Sequence, residues 1–446
     1  MLHTRFSIPK FSHTTRVALL IAAVTFSLPR AHAQTEAVIY SFGSNITDAQ
    51  RPYGALAQDK AGNLYGTTPQ GGAHNSGTVF ELSPVTGGWQ ETVLHSFTGG
   101  HDGAVPYASV VFGPNGNLYG TSEFGGNLTV GGGSGLGVVF ELSPAVGGGW
   151  NETVLHVFSG GKDGAVPQGL AFDPKGNLFG LARQGGTSVY CNQGTGCGTV
   201  FELTPKTGGG WSFGVIHIFT GGLDGGTPGL GMGPAVDANG NLYATTTFGG
   251  NPKYCVSSNQ LTVGCGVAFK LSQTTSGGWK ETVLYRFFGF ADGFSPSSVL
   301  VPDAAGNIHG TAASGGSQAG LCRENFGCGV VFELTPTSSG LWNQTPIHTF
   351  SWFPDGEDPI GGLVADGAGN LYGPTRGGGD TNCDCGTVFK MAHGASGWTF
   401  STLHTFLGGS DGNFPGSVLL NSSGNIFGAT LVGGASSSGT VYEITP

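Results

Sequence analysis

The chain has 446 residues, only 10% of them charged, and a formal net charge of −10. With 17 Lys and Arg against 27 Asp and Glu it has no basic surplus for a polyphosphate backbone, so nucleic acid is not an expected partner. Gly contributes 85 residues and Pro 23, a composition that would suggest disorder unless the glycines recur with a period.

The N-terminus reads as a secretory signal. Arg5, Lys10 and Arg16 precede an apolar run from Val17 to Leu28 that is too short for a membrane span, and Ala31-His32-Ala33 fits the small-x-small cleavage rule. The expected organisation is a signal peptide over residues 1–33 and one domain over 34–446. Removing the signal takes away Arg5, Lys10, Arg16 and Arg30 and no acid, which moves the net charge from −10 to −14. That argues against anionic membrane surfaces. No second long apolar run follows, so neither a membrane span nor a C-terminal anchor is expected in the mature chain. The expected address is extracellular or periplasmic.

Beyond the signal, four motifs recur seven times in a fixed order. The first is "GN[L/I]", at Gly62, Gly116, Gly176, Gly240, Gly306, Gly369 and Gly424, in steps of 54 to 66 residues. "GTVFELTP" follows, then "ETVLHSF", then an Asp four residues before a Pro, as at Asp48, Asp102 and Asp163. Each unit carries four strand-like runs, in the first full unit Ala55–Gln58, Asn63–Thr68, Thr78–Ser83 and Glu91–Phe97. Val, Leu, Phe, Tyr and Thr fill the runs, and Gly, Asn, Asp and Pro separate them. Four short strands repeated seven times predict an all-β, seven-bladed β-propeller.

The way the repeat is cut predicts how the ring closes. We letter the strands A to D from the axis outward. The mature chain begins with a lone D-type run, Glu36–Phe42, and ends with A-, B- and C-type runs. The N-terminal run should therefore complete the C-terminal blade, three strands plus one, and remove an exposed edge.

The pattern "DxxGNLYGTT…GG…GTVFELTP…W.ETVLHSF.GG.DG..P" resembles the GloVer tandem repeat of secreted bacterial proteins over essentially the whole mature chain. That resemblance implies an extracellular address and brings no established activity. The run "ALAQDKAGNLYGTT" is also similar to the A–B hairpin of NHL-type and lactonase-type propellers, a likeness of fold, which does not fix function.

Residues copied into every unit are expected to be structural. The repeated Asp should bind the backbone two residues on in an Asx-turn, with Gly supplying positive φ; one Asp per blade does not make a calcium site. Strand-C Glu81, Glu141, Glu202 and Glu333 and strand-D His95, His156, His217 and His348 are expected to pair across strands within each blade. The Trp that opens strand D, as at Trp89 and Trp150, reads as an apolar wedge, with sugar stacking as the other reading. His309, standing where other units have Tyr or Phe, reads as a packed substitute. The eight cysteines fall into local pairs between strands B and C: Cys191 with Cys197, Cys255 with Cys265, Cys322 with Cys328, and Cys383 with Cys385. In an exported chain such pairs read as disulfides, with zinc as the alternative.

A binding site should break the seven-fold symmetry. The position just before "x-G-G" does so, reading Pro69, Glu123, Arg183, Thr247, Ala313, Arg376 and Leu431. Glu123, Arg183 and Arg376 are the candidate ligand-binding residues, because Arg suits planar carboxylates. No catalytic, metal or cofactor residue is assigned. The expected function is a secreted, monomeric, non-catalytic binding or surface-interaction module for an extracellular ligand such as a glycan or a surface protein. The alternative is an extracellular enzyme acting on carbohydrate or a lactone.

Overall fold

The computed structural model describes residues 35–445, apart from 46, 189–190, 192–193, 230, 252, 254, 256–263, 318–321 and 323–325. The signal-peptide reading and the cleavage after Ala33 lie outside these residues. The described secondary structure is β-strand, with short 3-10 turns at Gly131–Gly133 and Phe290–Asp292. Among the described residues no helix is long and apolar enough to cross a membrane.

The strands form a seven-bladed propeller of antiparallel sheets, each in the order A–B–C–D. In blade 1 strand A is reduced to Ala57–Gln58, followed by B at Leu64–Thr68, C at Thr78–Val85 and D at Gly88–Ser96. Strand A is broken beside its proline, which has no N–H to give the ladder. In blade 3 its pairing slips between Pro167 and Leu170, and in blade 4 two separate pieces, Gly226–Pro228 and Ala235–Val236, pair with strand B. The last sheet takes Asn413–Leu420, Ile426–Val432 and Thr440–Thr445 from the C-terminus and Thr35–Ser41 as its strand D, paired from Thr35 opposite Thr445 to Ser41 opposite Thr440 with a bulge between Val38 and Tyr40.

Packing explains the repeated motifs. Gly66 of "NLYG" lies opposite Phe80, and a Cβ there would meet that ring at 2.6 Å; Gly120 with Phe140 and Gly180 with Phe201 repeat the arrangement. The ring drops into the space glycine leaves and becomes fully buried. The apolar clusters lie between blades: Phe179 and Leu181 of blade 3 pack with Leu242, Val267 and Phe269 of blade 4. A single blade cannot bury its own face, so the repeat is stable only as an array. The "GG" has a different cause. Gly71, at φ +84°, comes so close to the Asp48 carbonyl that a Cβ would sit 2.2 Å from it, and the Gly72 N–H donates to that carbonyl at 3.1 Å. The B–C loop is thereby fastened to the turn that leads into its own blade.

Two local expectations are corrected. The repeated Asp reaches back rather than forward: the Thr98 N–H donates to Asp102 at 2.8 Å and the Leu407 N–H to Asp411 at 2.7 Å, four residues upstream in each case. The strand-C Glu does not oppose the strand-D His: the C–D ladder puts Thr92 opposite Glu81 and Val79 opposite His95. The Glu instead faces the strand-B aromatic, as where Tyr119 donates to Glu141 at 2.7 Å; in blades 4 and 6 Lys270 and Lys390 sit over Tyr243 and Tyr372. The His turns to the Asp seven residues later, as His348 does to Asp355 at 2.9 Å and His404 to Asp411 at 3.1 Å. A polar side chain bonds the nearest partner its backbone register allows.

The other structural readings agree with the geometry. Trp89, Trp211 and Trp279 pack edge-on against Phe427, Tyr119 and Phe179 of the preceding blades. His309 is buried, 3.0 Å from Glu333, which also accepts from the Trp398 indole at 3.3 Å. All four cysteine pairs are bonded, which leaves zinc no thiolate.

Candidate functional site

The candidate residues leave strand B where it enters the B–C loop. There the loop bonds to strand A of the same blade: the Glu123 N–H donates to the Val105 carbonyl at 3.1 Å, and the Arg376 N–H to the Asp358 carbonyl at 3.0 Å. Val105 and Asp358 each precede the repeated Pro and hold positive φ, 56° and 54°. Each also gives its own N–H to the preceding blade, Val105 to Ser76 at 2.8 Å and Asp358 to Cys328 at 3.1 Å. Positive φ is costly for a β-branched residue such as Val105, so hydrogen bonds on both sides hold this backbone in place. The result is a stiff ring of positions facing the axis.

Glu123, Arg183 and Arg376, from blades 2, 3 and 6, line one cavity of about 430 Å³ with Tyr53, Tyr107, Gln168 and Asp358. Ala313 lines it as well, whereas Pro69 and Leu431, at the same position of their blades, do not. Gln168 donates to Glu123 at 3.3 Å and accepts from the Gly231 N–H at 2.6 Å. Arg376 stands 3.8 Å from Asp358, beyond direct hydrogen-bond reach, and 5.6 Å from the centre of the Phe414 ring. The Arg183 Nε is buried and has no hydrogen-bond partner among the described residues. Tyr53 and Tyr107 form an aromatic wall, with ring centroids 4.5 Å apart and planes tilted by 38°.

The cavity has its own electrostatics. Burial raises the Glu123 carboxyl above the usual carboxylate range, against the hydrogen bond from Gln168 and the charge of Arg183. Burial pushes Asp358 up to about 6, opposed by Arg376 and reinforced by Asp384. Burial also raises the Tyr107 phenol. The lining holds no His or Cys, so the nucleophile–base pairs they would build are not to hand. Two guanidinium groups, two carboxyls, an amide and two phenols can bind a polar ligand.

The sequence pattern pointed to Glu123, Arg183 and Arg376 but missed, among other lining residues, Tyr53, Tyr107, Gln168 and Asp358. Tyr53, Tyr107 and Gln168 each follow the repeated Pro, and Asp358 precedes one. Their signal was present: these positions also vary from unit to unit, reading Tyr, Tyr and Gln where unit 4 has Gly229. Unit 4 was missed as well. Eight residues separate Pro228 from Asp237, against five between Pro167 and Asp173 in unit 3. The extra length carries Met232, which is buried, contacts Ser417 of blade 7 at 3.5 Å and lines a second axial cavity of about 370 Å³.

The sequence pattern of the Gloeobacter/Verrucomicrobia repeat matches residues 20–254 and 320–446. No curated protein matches the chain. Among solved structures, the chain is similar to the extracellular domain of a hybrid two-component system from B. thetaiotaomicron, with a TM-score of 0.54 and 11% identity; the match covers 92% of this chain but 39% of that one. The same domain, described as part of a one-component system, matches with a TM-score of 0.52 and 11% identity over 91% of this chain and 39% of that one. A protein from Thermus thermophilus described as an oxidoreductase (glucose dehydrogenase) matches with a TM-score of 0.43 and 12% identity, over 92% of this chain and all of its own. At these identities the likeness is one of fold.

Proposed function

This chain belongs to the Gloeobacter/Verrucomicrobia repeat family, and from that premise we propose that it is a secreted, monomeric, non-catalytic binding module whose ligand sits in the axial cavity. One observation carries the reading. Three residues that break the seven-fold repeat, Glu123, Arg183 and Arg376, come from three different blades and line one cavity. Copied residues serve the ring, whereas unlike residues gathered at a single mouth serve a ligand. The signal-like segment 1–33 and the four disulfides support an extracellular address.

The experiment is a glycan- and peptide-array screen of the mature chain, residues 34–446, beside the triple variant Glu123→Gln/Arg183→Gln/Arg376→Gln. Circular dichroism and melting temperature serve as fold controls. The expected result is a hit that the triple variant loses while keeping its melting temperature. A hit that the variant keeps removes the cavity from the reading. The alternative, an extracellular enzyme acting on carbohydrate or a lactone, draws on the two raised carboxyls, Glu123 and Asp358. Turnover of a bound compound, lost in Glu123→Gln, would favour it.

A further inference from the structure

Resting on the binding-module reading above, we propose that the ligand of the axial cavity is a carboxylate-bearing sugar, such as a uronic acid unit of an acidic glycan. Charge argues first. The cavity mixes Arg183 and Arg376 with Glu123 and Asp358. A compact inorganic anion would answer the two arginines but offer nothing to the two carboxyls, and a simple cation would do the reverse, whereas a sugar acid brings a carboxylate for the arginines and hydroxyl donors for the carboxyls. An apolar ligand would strip water from all four charges and return no hydrogen bonds.

The unsatisfied group argues next. The Arg183 Nε is buried without a partner among the described residues. A guanidinium is a donor-only fork that matches a carboxylate in the plane. A ligand carboxylate at Arg183 would satisfy that atom. Arg376 also has reach to spare, since its ion pair with Asp358 is stretched to 3.8 Å.

The remaining lining matches the remainder of a sugar. Each hydroxyl of a polyol both donates and accepts. Glu123 and Asp358 accept, the phenols of Tyr53 and Tyr107 can do either, and Gln168 is already spent on Glu123 and the Gly231 N–H. The apolar C–H face of a pyranose suits the paired Tyr53 and Tyr107 rings. A cavity of about 430 Å³ is of the size that holds a small ligand. The chief rival is a zwitterion, an amino acid or dipeptide, whose ammonium would need both carboxyls ionised.

Isothermal titration calorimetry of the mature chain tests the proposal. The probes are galacturonic and glucuronic acid and their disaccharides, the matching neutral sugars, inorganic phosphate, and the dipeptide Gly-Gly. Uronates are expected to bind at least 10-fold tighter than neutral sugars, and Arg183→Gln to remove that margin. Tyr107→Phe should keep most of the affinity and Tyr107→Ala lose it for acidic and neutral sugars alike. The charged groups facing the ligand are Glu123, Asp358, Arg183 and Arg376, with Tyr53 and Tyr107, and Asp384 acts on Asp358. Between pH 7.5 and 5.5 Asp358, pushed up to about 6, takes up protons while the sugar carboxylate stays charged, so uronate binding should tighten. A zwitterion would bind more weakly over the same range.

Equal binding of neutral sugars, preference for phosphate or the dipeptide, or binding that weakens toward pH 5.5 overturns the sugar-acid assignment. So does the absence of any uronate binding. None of these touches the broader reading, which falls instead if an array hit survives the triple variant.

Discussion

His156 lies flat on Phe213 across the seam between blades 2 and 3, with ring centroids 3.5 Å apart and planes 3° apart. His348 meets Phe400 in the same way between blades 5 and 6, at 3.8 Å and 7°. At four other seams the position of Phe213 holds an acid, and between blades 4 and 5 it holds Gln344, which donates to the Asp292 carbonyl at 2.8 Å. Glu91 accepts from Tyr40 at 2.8 Å, Glu281 lies 3.9 Å from His217, and Glu36 groups with His404 and Asp411. The seams therefore use three solutions for one place: an aromatic lid, a buried carboxyl or, once, an amide.

The carboxyl seams should make stability depend on pH. Burial pushes Glu91 and Glu281 up to about 8 and Glu152 up to about 7, with Asp48, Asp224 and Asp102 reinforcing the shift. A carboxyl raised in the folded state holds protons that the unfolded chain has released, so its contribution is full at about pH 4 and is lost as pH rises to about 8. His95, His156 and His217 are lowered by burial, so they act in the opposite sense, but only below about pH 6.5. Above that the acids act alone. The melting temperature should fall between pH 6.5 and 8.5, and Glu91→Gln/Glu152→Gln/Glu281→Gln should flatten that fall. Calorimetry giving the same slope for both proteins would contradict this account.

The aromatic lids should carry ordinary packing energy. Phe213→Ala opens a half-buried seam and should cost about 2–3 kcal/mol, somewhat less than for a fully buried Phe. Phe213→Glu converts the seam to the carboxyl solution, and denaturant melts should show a new loss of stability toward alkaline pH.

Glycine in strand B is required by the ring opposite it. A Cβ at Gly120 would sit 2.4 Å from the Phe140 ring. Ala244 opposite Phe269 shows that one blade accommodates a methyl. Gly120→Ala should thus be mild, whereas Gly120→Val should cost about 1–3 kcal/mol by overpacking. Equal denaturation midpoints for the two variants would refute the assignment.

Ring closure depends on the N-terminal strand. Starting the mature chain at Gly43 removes Thr35–Ser41 and with it Phe42, which is fully buried. It leaves the edge of Thr440–Thr445 unpaired. We expect a lower melting temperature and self-association by light scattering. A peptide of residues 34–42 supplied in trans should reverse both.

The disulfides should scale with loop length. Cys191 and Cys197 are six residues apart and Cys383 and Cys385 two. On the chain-entropy account, Cys191→Ser/Cys197→Ser should cost about 2 kcal/mol and Cys383→Ser/Cys385→Ser less. Urea melts of the two double variants, with mass spectrometry of the remaining bridges, decide the order.

The sequence by itself determined the repeat, the strand count, the closure and the cysteine pairing. Each follows from patterns a few residues long, copied seven times, and copying makes a local signal unmistakable. It also singled out Glu123, Arg183 and Arg376, because they interrupt a copied motif. Only the tertiary structure decided which side chains meet. The register between strands C and D sets Val79 opposite His95, which turns to Asp102, and Glu81 lies opposite Tyr65 of strand B. The break in strand A turned Tyr53, Tyr107 and Gln168 toward the cavity, and extra residues in blade 4 placed Met232 against Ser417 on the far side of the ring. Ring closure acts over long stretches of chain: Met232 and Ser417 are 185 residues apart, and no short window of sequence contains both.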